Sequence, residues 1–344
     1  SKNKYFCFKT FFIIINVLVG AAYCYFFKLR PIKQNNPLSA VPAEAAVIIS
    51  LKNPLGQWQA LTNNEIWSYL KTNPILSSFG QSIDSLNREI KKNETILDLT
   101  ANRPLVISAH LVVDPDRFEL LYTIDLQKAT QFSFLKDYLG NLSDEATKVY
   151  SRDYNGVDIM EISYQDAPTV YYICVVENLL SVSTIHTLIE KSIDERNRPT
   201  LIRDLDFVEV NNSLNTDKPA IYFQQQYFKK LLNSYFTTDT GENTLAFLTY
   251  TSFLGLNTSV NDEFISLSGF SNLPDNAPNL PQALITSGKG EINLGKIVPE
   301  NASTFTSLGF GDADQFYENI NGFLSSLEDG EDYIENRKKN RTLS

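Results

Sequence analysis

Residues 148–183 read KVYSRDYNGVDIMEISYQDAPTVYYICVVENLLSVS, and this stretch decides the fold class. At its centre is Tyr154-Asn155-Gly156. Asn and Gly tolerate the positive φ of a two-residue type I′ turn, so the alternating runs on either side predict a hairpin with Val157–Tyr164 as the return strand. Thr169–Val176 and Leu179–Ser183 form a further pair across Glu177-Asn178. From Thr184 to Asp194 the apolar spacing changes to the helical period. Strands paired with their sequence neighbours, followed by a helix, predict an α+β fold and not a doubly wound parallel sheet.

Upstream, the same reading gives strands at Pro104–Val113 and Phe118–Leu126, joined by the turn formers Asp114-Pro115-Asp116. A helix is expected from Thr130 to Leu142. Between Trp58 and Ile90, apolar residues recur at three- and four-residue spacings, interrupted at Asn73-Pro74, which predicts two packed helices. Val47–Leu51 is a short apolar run closed by Lys52-Asn53-Pro54 and reads as a buried strand.

Downstream, the pattern restarts. Val41-Pro42 leads through Ala46 into VIISL and a helix near Trp58. Lys218-Pro219-Ala220 leads into IYFQQ and YFKKLLNSYF. Val298-Pro299 leads through Ala302 into STFTSLGF and DQFYENINGFLSSL. Each has a proline, an alanine, an apolar or β-branched run and an aromatic helix, which predicts a divergent internal repeat. Leu245–Gly255 and EFISLSGF (Glu263–Phe270) are the expected strands of the second unit. The third unit begins without a following meander, which reads as the start of a longer polypeptide or a natural truncation.

Thr10–Phe27, TFFIIINVLVGAAYCYFF, contains no charged side chain. At about 1.5 Å per residue it spans roughly 27 Å, close to the hydrocarbon thickness of a bilayer. It is too long for a cleaved signal core, and large residues follow Gly20-Ala21-Ala22 where a cleavage site wants small ones. Tyr23 before Cys24 argues against a lipoprotein site. Tyr23, Tyr25, Phe26 and Phe27 suit an interfacial aromatic belt. Basic residues flank both ends, Lys2, Lys4 and Lys9 against Lys28, Arg30 and Lys33, so charge leaves the orientation nearly balanced. The large downstream part favours N-in with an exported ectodomain in a bacterial cell envelope.

The expected organisation is therefore a basic tail (1–9), a transmembrane helix (10–27), a linker (28–40), a first α+β unit (41–200) and a second (201–297). Residues 298–344 begin a third unit or form a C-terminal helix. The fold class is α+β: an N-terminal anchor, then repeated antiparallel-sheet-plus-helix units.

The chain has 30 basic and 40 acidic residues and a formal charge of −10. Residues 1–33 hold six of the basic ones and no acid, so the remainder carries about −16. Such a surface repels phosphate backbones and excludes nucleic acid as a partner. Only Cys174 of the three cysteines lies outside the apolar N-terminal region, so no ectodomain disulfide is expected, as suits a bacterial periplasm.

No chemical motif stands out. The two histidines, His110 and His186, are far apart, and there is no CxxC or HExxH, so no metal or other cofactor is expected. GFGDAD (Gly309–Asp314) lacks the ligands of a calcium loop and reads as a turn with Asp312 or Asp314 capping a helix. No GxSxG elbow, GxGxxG or phosphate loop occurs, so no catalytic residue is assigned. A serine hydrolase would have to use His110 or His186 as its base.

Aromatic content is the one binding-like feature, with clusters at Tyr171-Tyr172, Tyr222-Phe223, Tyr227-Phe228 and Tyr235-Phe236. Most such residues belong to cores; exposed ones form protein or glycan interfaces. Trp58, Trp67, Tyr227 and Tyr235 are the candidate partner-binding residues.

With VPAEAAVIISLKNPLGQWQAL (41–61), NNEIWSYL (63–70), NRPLVISAH (102–110) and FELLYTIDL (118–126), the chain resembles a domain-of-unknown-function family of membrane-anchored Bacteroidota envelope proteins. The resemblance implies a single N-terminal span and an exported α+β repeat region. Longer members continue into a β-rich, propeller-like region. It brings no catalytic residues with it. The leading expectation is a non-catalytic, membrane-anchored envelope protein that binds a partner or scaffolds an assembly. The alternatives are an envelope hydrolase built on His110 or His186, and a structural domain presenting a missing C-terminal region.

Overall fold

The computed structural model describes residues 35–63, 65–70, 72, 103–111, 118–127, 147–165, 169–235, 252–261, 264–273, 280–291 and 309–325, with the isolated positions 298, 302 and 307. The expected anchor (10–27) and the expected helix at 130–142 lie outside these residues. Among the described residues no helix is long and apolar enough to cross a membrane.

The chain is α+β and its centre is one large antiparallel sheet. The strands are β1 (Ala45–Leu51), β2 (Leu105–Leu111), β3 (Phe118–Asp125), β4 (Thr147–Tyr154), β5 (Val157–Tyr164), β6 (Val170–Val176), β7 (Leu179–Ser183), β8 (Ala220–Gln224), β9 (Phe253–Val260) and β10 (Ile265–Ser271). They lie in the order β10-β9-β8-β1-β2-β3-β7-β6-β5-β4. The β4–β5 turn is the expected one: Asn155 and Gly156 have φ of 52° and 78°, the left-handed pair of a type I′ hairpin. Glu177 takes φ 56° at the β6–β7 turn.

The helices are α1 (Pro54–Thr62), α2 (Glu65–Leu70), α3 (His186–Asn197), α4 (Leu205–Ser213), α5 (Gln225–Tyr235), α6 (Leu280–Thr286) and α7 (Ala313–Ser325). Asp204 caps α4 through the backbone N–H groups of Asp206 and Phe207. Asp312 accepts from Gln315 N at 3.0 Å at the start of α7, the turn-and-cap arrangement expected of GFGDAD.

Register divides the strands' side chains between two faces. One carries Tyr222, Ile48, Ser108, Leu121, Ser183 and Tyr172 in a continuous cross-strand row. Two clusters bury this face. Leu38, Val41, Ile48, Val106, Phe207, Val210, Tyr222 and Phe253 form one. Leu121, Ile159, Cys174, Ile189 and Ile193 form the other. The opposite face has its own apolar cluster around Leu126, Met160, Ile162 and Leu180. A sheet apolar on both faces explains why β2 and β6 read as near-continuous hydrophobic runs.

Two expectations shift. Residues 28–40 read as linker, yet Pro37–Ala40 forms a buried 3-10 turn whose Leu38 and Ala40 are core residues. Asn36 makes this possible by capping the turn, its side chain accepting from Leu38 N at 3.0 Å. Of the strand expected at Leu245–Gly255, residues 245–251 lie outside the described residues, and the described strand runs on past Gly255, over Phe253–Val260. It ends in the polar run Asn257-Thr258-Ser259. Asn257 is nevertheless buried, with its amide bonded to the backbone of Asn215 and Pro219.

Candidate functional site

His110 sits on β2, 2 % exposed, with its Nε2 2.8 Å from Ser108 Oγ two residues earlier on the same face. Burial holds its pKa down at about 3, and the Lys191 ammonium on α3 adds to the effect. It is therefore a neutral imidazole at physiological pH. Glu119, opposite it in register on β3, accepts from Thr184 Oγ1 at 3.1 Å. A Ser–His pair at this distance is the nucleophile–base element of acyl transfer. Here Ser108 is itself only 1 % exposed, so the pair lies inside the core.

His186 is different. It opens α3, its side chain is 53 % exposed, and its Nδ1 lies 3.5 Å from Glu190 Oε1 one turn along. Tyr172 meets the ring edge-on at 5.7 Å between centroids. Glu190 also accepts from Arg152 Nη2 at 2.6 Å, while Arg152 Nε donates to Glu161 at 2.9 Å. Both carboxylates raise the Arg152 pKa, Glu190 most. The outcome is a surface ion cluster that ties α3 to β4 and β5, 76 positions from His110 in sequence. The two histidines are not brought together.

Where α3 packs on β3 and β7 there is a seam of small polar side chains. Thr123 Oγ1 on β3 lies 3.5 Å from Ser181 Oγ on β7, which lies 3.1 Å from Ser192 Oγ on α3. All three are buried. Small hydroxylated residues let the helix approach the sheet while satisfying one another. Cys174 lies nearby, 1 % exposed, and burial pushes its thiol up to about 12, the inert state expected of it.

At the far end of α3 the chain entering from the N-terminus is clamped. Asn178, fully buried in the β6–β7 turn, accepts from Asn35 N and donates to Asn35 O, each at 2.9 Å. It also donates to Asp125 at 2.7 Å. Glu177 beside it takes the Asn35 side-chain amide and pairs with Arg196 at 3.2 Å. Asn257 makes the same two-bond clamp on Asn215, at 2.9 and 3.0 Å. Nothing local marks these asparagines out; Asn178 reads only as a turn former.

Of the candidate partner-binding residues, Trp67 is 5 % exposed on α2 and belongs to the interior. It therefore presents little surface to a partner. Tyr227 is half-buried on α5, with Lys230 Nζ 5.2 Å from its ring centroid. Trp58 lies on α1 and Tyr235 ends α5; their side chains lie outside the described residues. Tyr222 is core, its hydroxyl donating to Asn211 at 2.7 Å. Among the described residues no group of three or more metal-ligating side chains converges.

No family model matches this chain, and no curated protein does. Among solved structures the chain is similar to crystal form III of TP0453, at 14% identity and a TM-score of 0.33, covering 83% of this chain and 98% of that one. Crystal form I gives 13% identity and 0.33, covering 85% and 98%. Likeness of this grade carries no functional argument.

Proposed function

We propose that this is a membrane-anchored, non-catalytic envelope protein whose ectodomain holds a partner or scaffolds an assembly close to the bilayer. The uncharged run 10–27 serves as an N-in transmembrane helix, and the sheet is the exported part. The reading is the one the Bacteroidota family resemblance implies. Its main support is the clamp of Asn35 by Asn178. With residue 35 fixed to the sheet, only residues 28–34 join body to anchor, a tether of at most roughly 25 Å. An anchor so close to a fixed point orients the ectodomain, which suits a scaffold.

Repeated units are part of the same proposal. A strand, helix and two further strands (β1, α1–α2, β2, β3) are followed by the same order in β8, α5, β9, β10. The two sets meet at the antiparallel β1–β8 pair, so the strand order mirrors itself about that ladder. The histidines add support for a non-catalytic role, since the Ser108–His110 pair has no exposed nucleophile. An envelope hydrolase using His110 or His186 is the competing class, and a domain that presents a further C-terminal region is the third.

The test is recovery of the tagged full-length protein from native membranes in mild detergent, with quantitative mass spectrometry, after a carbonate wash that strips peripheral proteins. Retention through the wash with a stoichiometric envelope protein is the expected result. Release by carbonate overturns the anchor. Retention with no companion overturns the scaffold.

A further inference from the structure

The two edges of the sheet differ. The β4 edge carries Lys148, Arg152 and Asp153, the charged residues that block pairing with another chain. The β10 edge, ISLSGFS (Ile265–Ser271), has no charged residue and no proline. Leu267 and Phe270 are each 54 % exposed, and Phe264 just before the strand is 52 % exposed. Ser268, Gly269 and Ser271 are exposed as well. An uncharged, regular, solvent-open strand of this length is a template for strand addition.

Which backbone groups are open follows from β9. Asn261 N donates to Phe264 O, and Asn272 N donates to Phe253 O. Alternation then turns the backbone groups of Phe264, Ser266, Ser268, Phe270 and Asn272 toward β9, and those of Ile265, Leu267, Gly269 and Ser271 outward.

We infer that the β10 edge pairs antiparallel with β10 of a second copy of this chain, about a two-fold axis at Ser268. In that register Ile265 faces Ser271 of the other copy, Ser266 faces Phe270, and Leu267 faces Gly269. Every large side chain meets a small one on the same sheet face, and no like charges oppose. The outward backbone groups also coincide: Ile265 with Ser271 and Leu267 with Gly269, giving about eight ladder hydrogen bonds. Gly269 is held to its size, because a Cβ there would lie 1.9 Å from the Gly255 carbonyl oxygen. The space that receives Leu267 is therefore a consequence of the β9–β10 packing. A different partner strand would need this complement by chance; a second copy has it by symmetry. The inference goes beyond the scaffold reading and rests on the edge alone.

The test uses the full chain purified in mild detergent, with Cys7 and Cys24 replaced by serine. Ser268 would face its own copy at a non-hydrogen-bonded position with Cα atoms about 4.5 Å apart, within reach of a disulfide. Ser268→Cys should cross-link to covalent dimers under mild oxidation. Ser266→Cys, displaced from its own copy by four residues, should not. Sedimentation of the uncross-linked chain should show a concentration-dependent dimer whose dissociation constant rises at least about tenfold in Leu267→Lys, a change at an exposed position whose fold is checked by circular dichroism. A dimer insensitive to Leu267→Lys, equal cross-linking at 266 and 268, or a monomer at all concentrations would each overturn the inference. Both cysteine variants are checked for native circular dichroism, so that misfolding is not read as failure to pair.

Discussion

Asn178 holds Asn35 by both of its backbone groups, accepting from its N–H and donating to its C=O at 2.9 Å each, across 143 positions of sequence. A primary amide is suited to this, since it presents a donor and an acceptor side by side. Asn178→Ala removes both bonds and the one to Asp125, leaving partly buried polar groups unmet. The expected cost is about 2–3 kcal/mol. Urea unfolding measures it, and amide exchange at Asn35 should accelerate in parallel. Unchanged exchange there would show that the clamp is not what orders this segment.

His110 makes stability depend on pH. Folded, its pKa is about 3; unfolded, it is the ordinary 6.5. Between these values the unfolded chain binds a proton that the folded chain does not, so stability is fully present above pH 6.5 and is lost as pH falls toward 3. The slope reaches about 1.4 kcal/mol per pH unit. His110→Gln keeps a partner for Ser108 and removes the titration. The stability of the wild type relative to this variant should fall by about 2 kcal/mol between pH 7.5 and pH 5. A constant difference across that range would refute the burial effect.

The Arg152 cluster should be worth less. Its members are partly exposed, with side-chain values of 35%, 29% and 22% for Arg152, Glu161 and Glu190. Solvent screens such pairs. Arg152→Ala is expected to cost about 1 kcal/mol at low salt and clearly less at 1 M salt. A salt-independent loss would point to lost packing of the guanidinium stem.

Gly156→Ala tests the turn. At φ 78° a Cβ strains the backbone although nothing lies within 4 Å of it. The expected loss is about 1 kcal/mol, read as a lower thermal midpoint with an unchanged spectrum. The open surroundings make this a measure of conformation without a steric clash.

Local chemistry carried much of the architecture. The β4–β5 hairpin was legible because Asn155-Gly156 permits few other conformations, and the β2 and β3 runs were legible because their turn formers stand between apolar stretches. Sheet order was not legible, since β1 pairs with β8 some 170 positions away and no local signal encodes that. Pro37–Ala40 read as linker by composition, and only the cap from Asn36 and the seat for Leu38 make it core. The site was harder still. Trp67 reads as a candidate contact, and pairs such as Tyr222-Phe223 stay open between core and surface, because sequence cannot separate an inward face from an outward one. Asn178 and Asn257 act through partners far along the chain.

The position of β1 has a consequence for the order of events during synthesis. Its ladder to β2 joins residues 45–51 to 105–110, but its ladder to β8 waits for residues 220–223. Until those residues leave the ribosome, the middle of the finished sheet is an unpaired rim that carries Ile48 and Ile49. The part containing β1–β7 must therefore persist with that rim exposed until β1 meets β8, the paired strands that lie furthest apart in sequence.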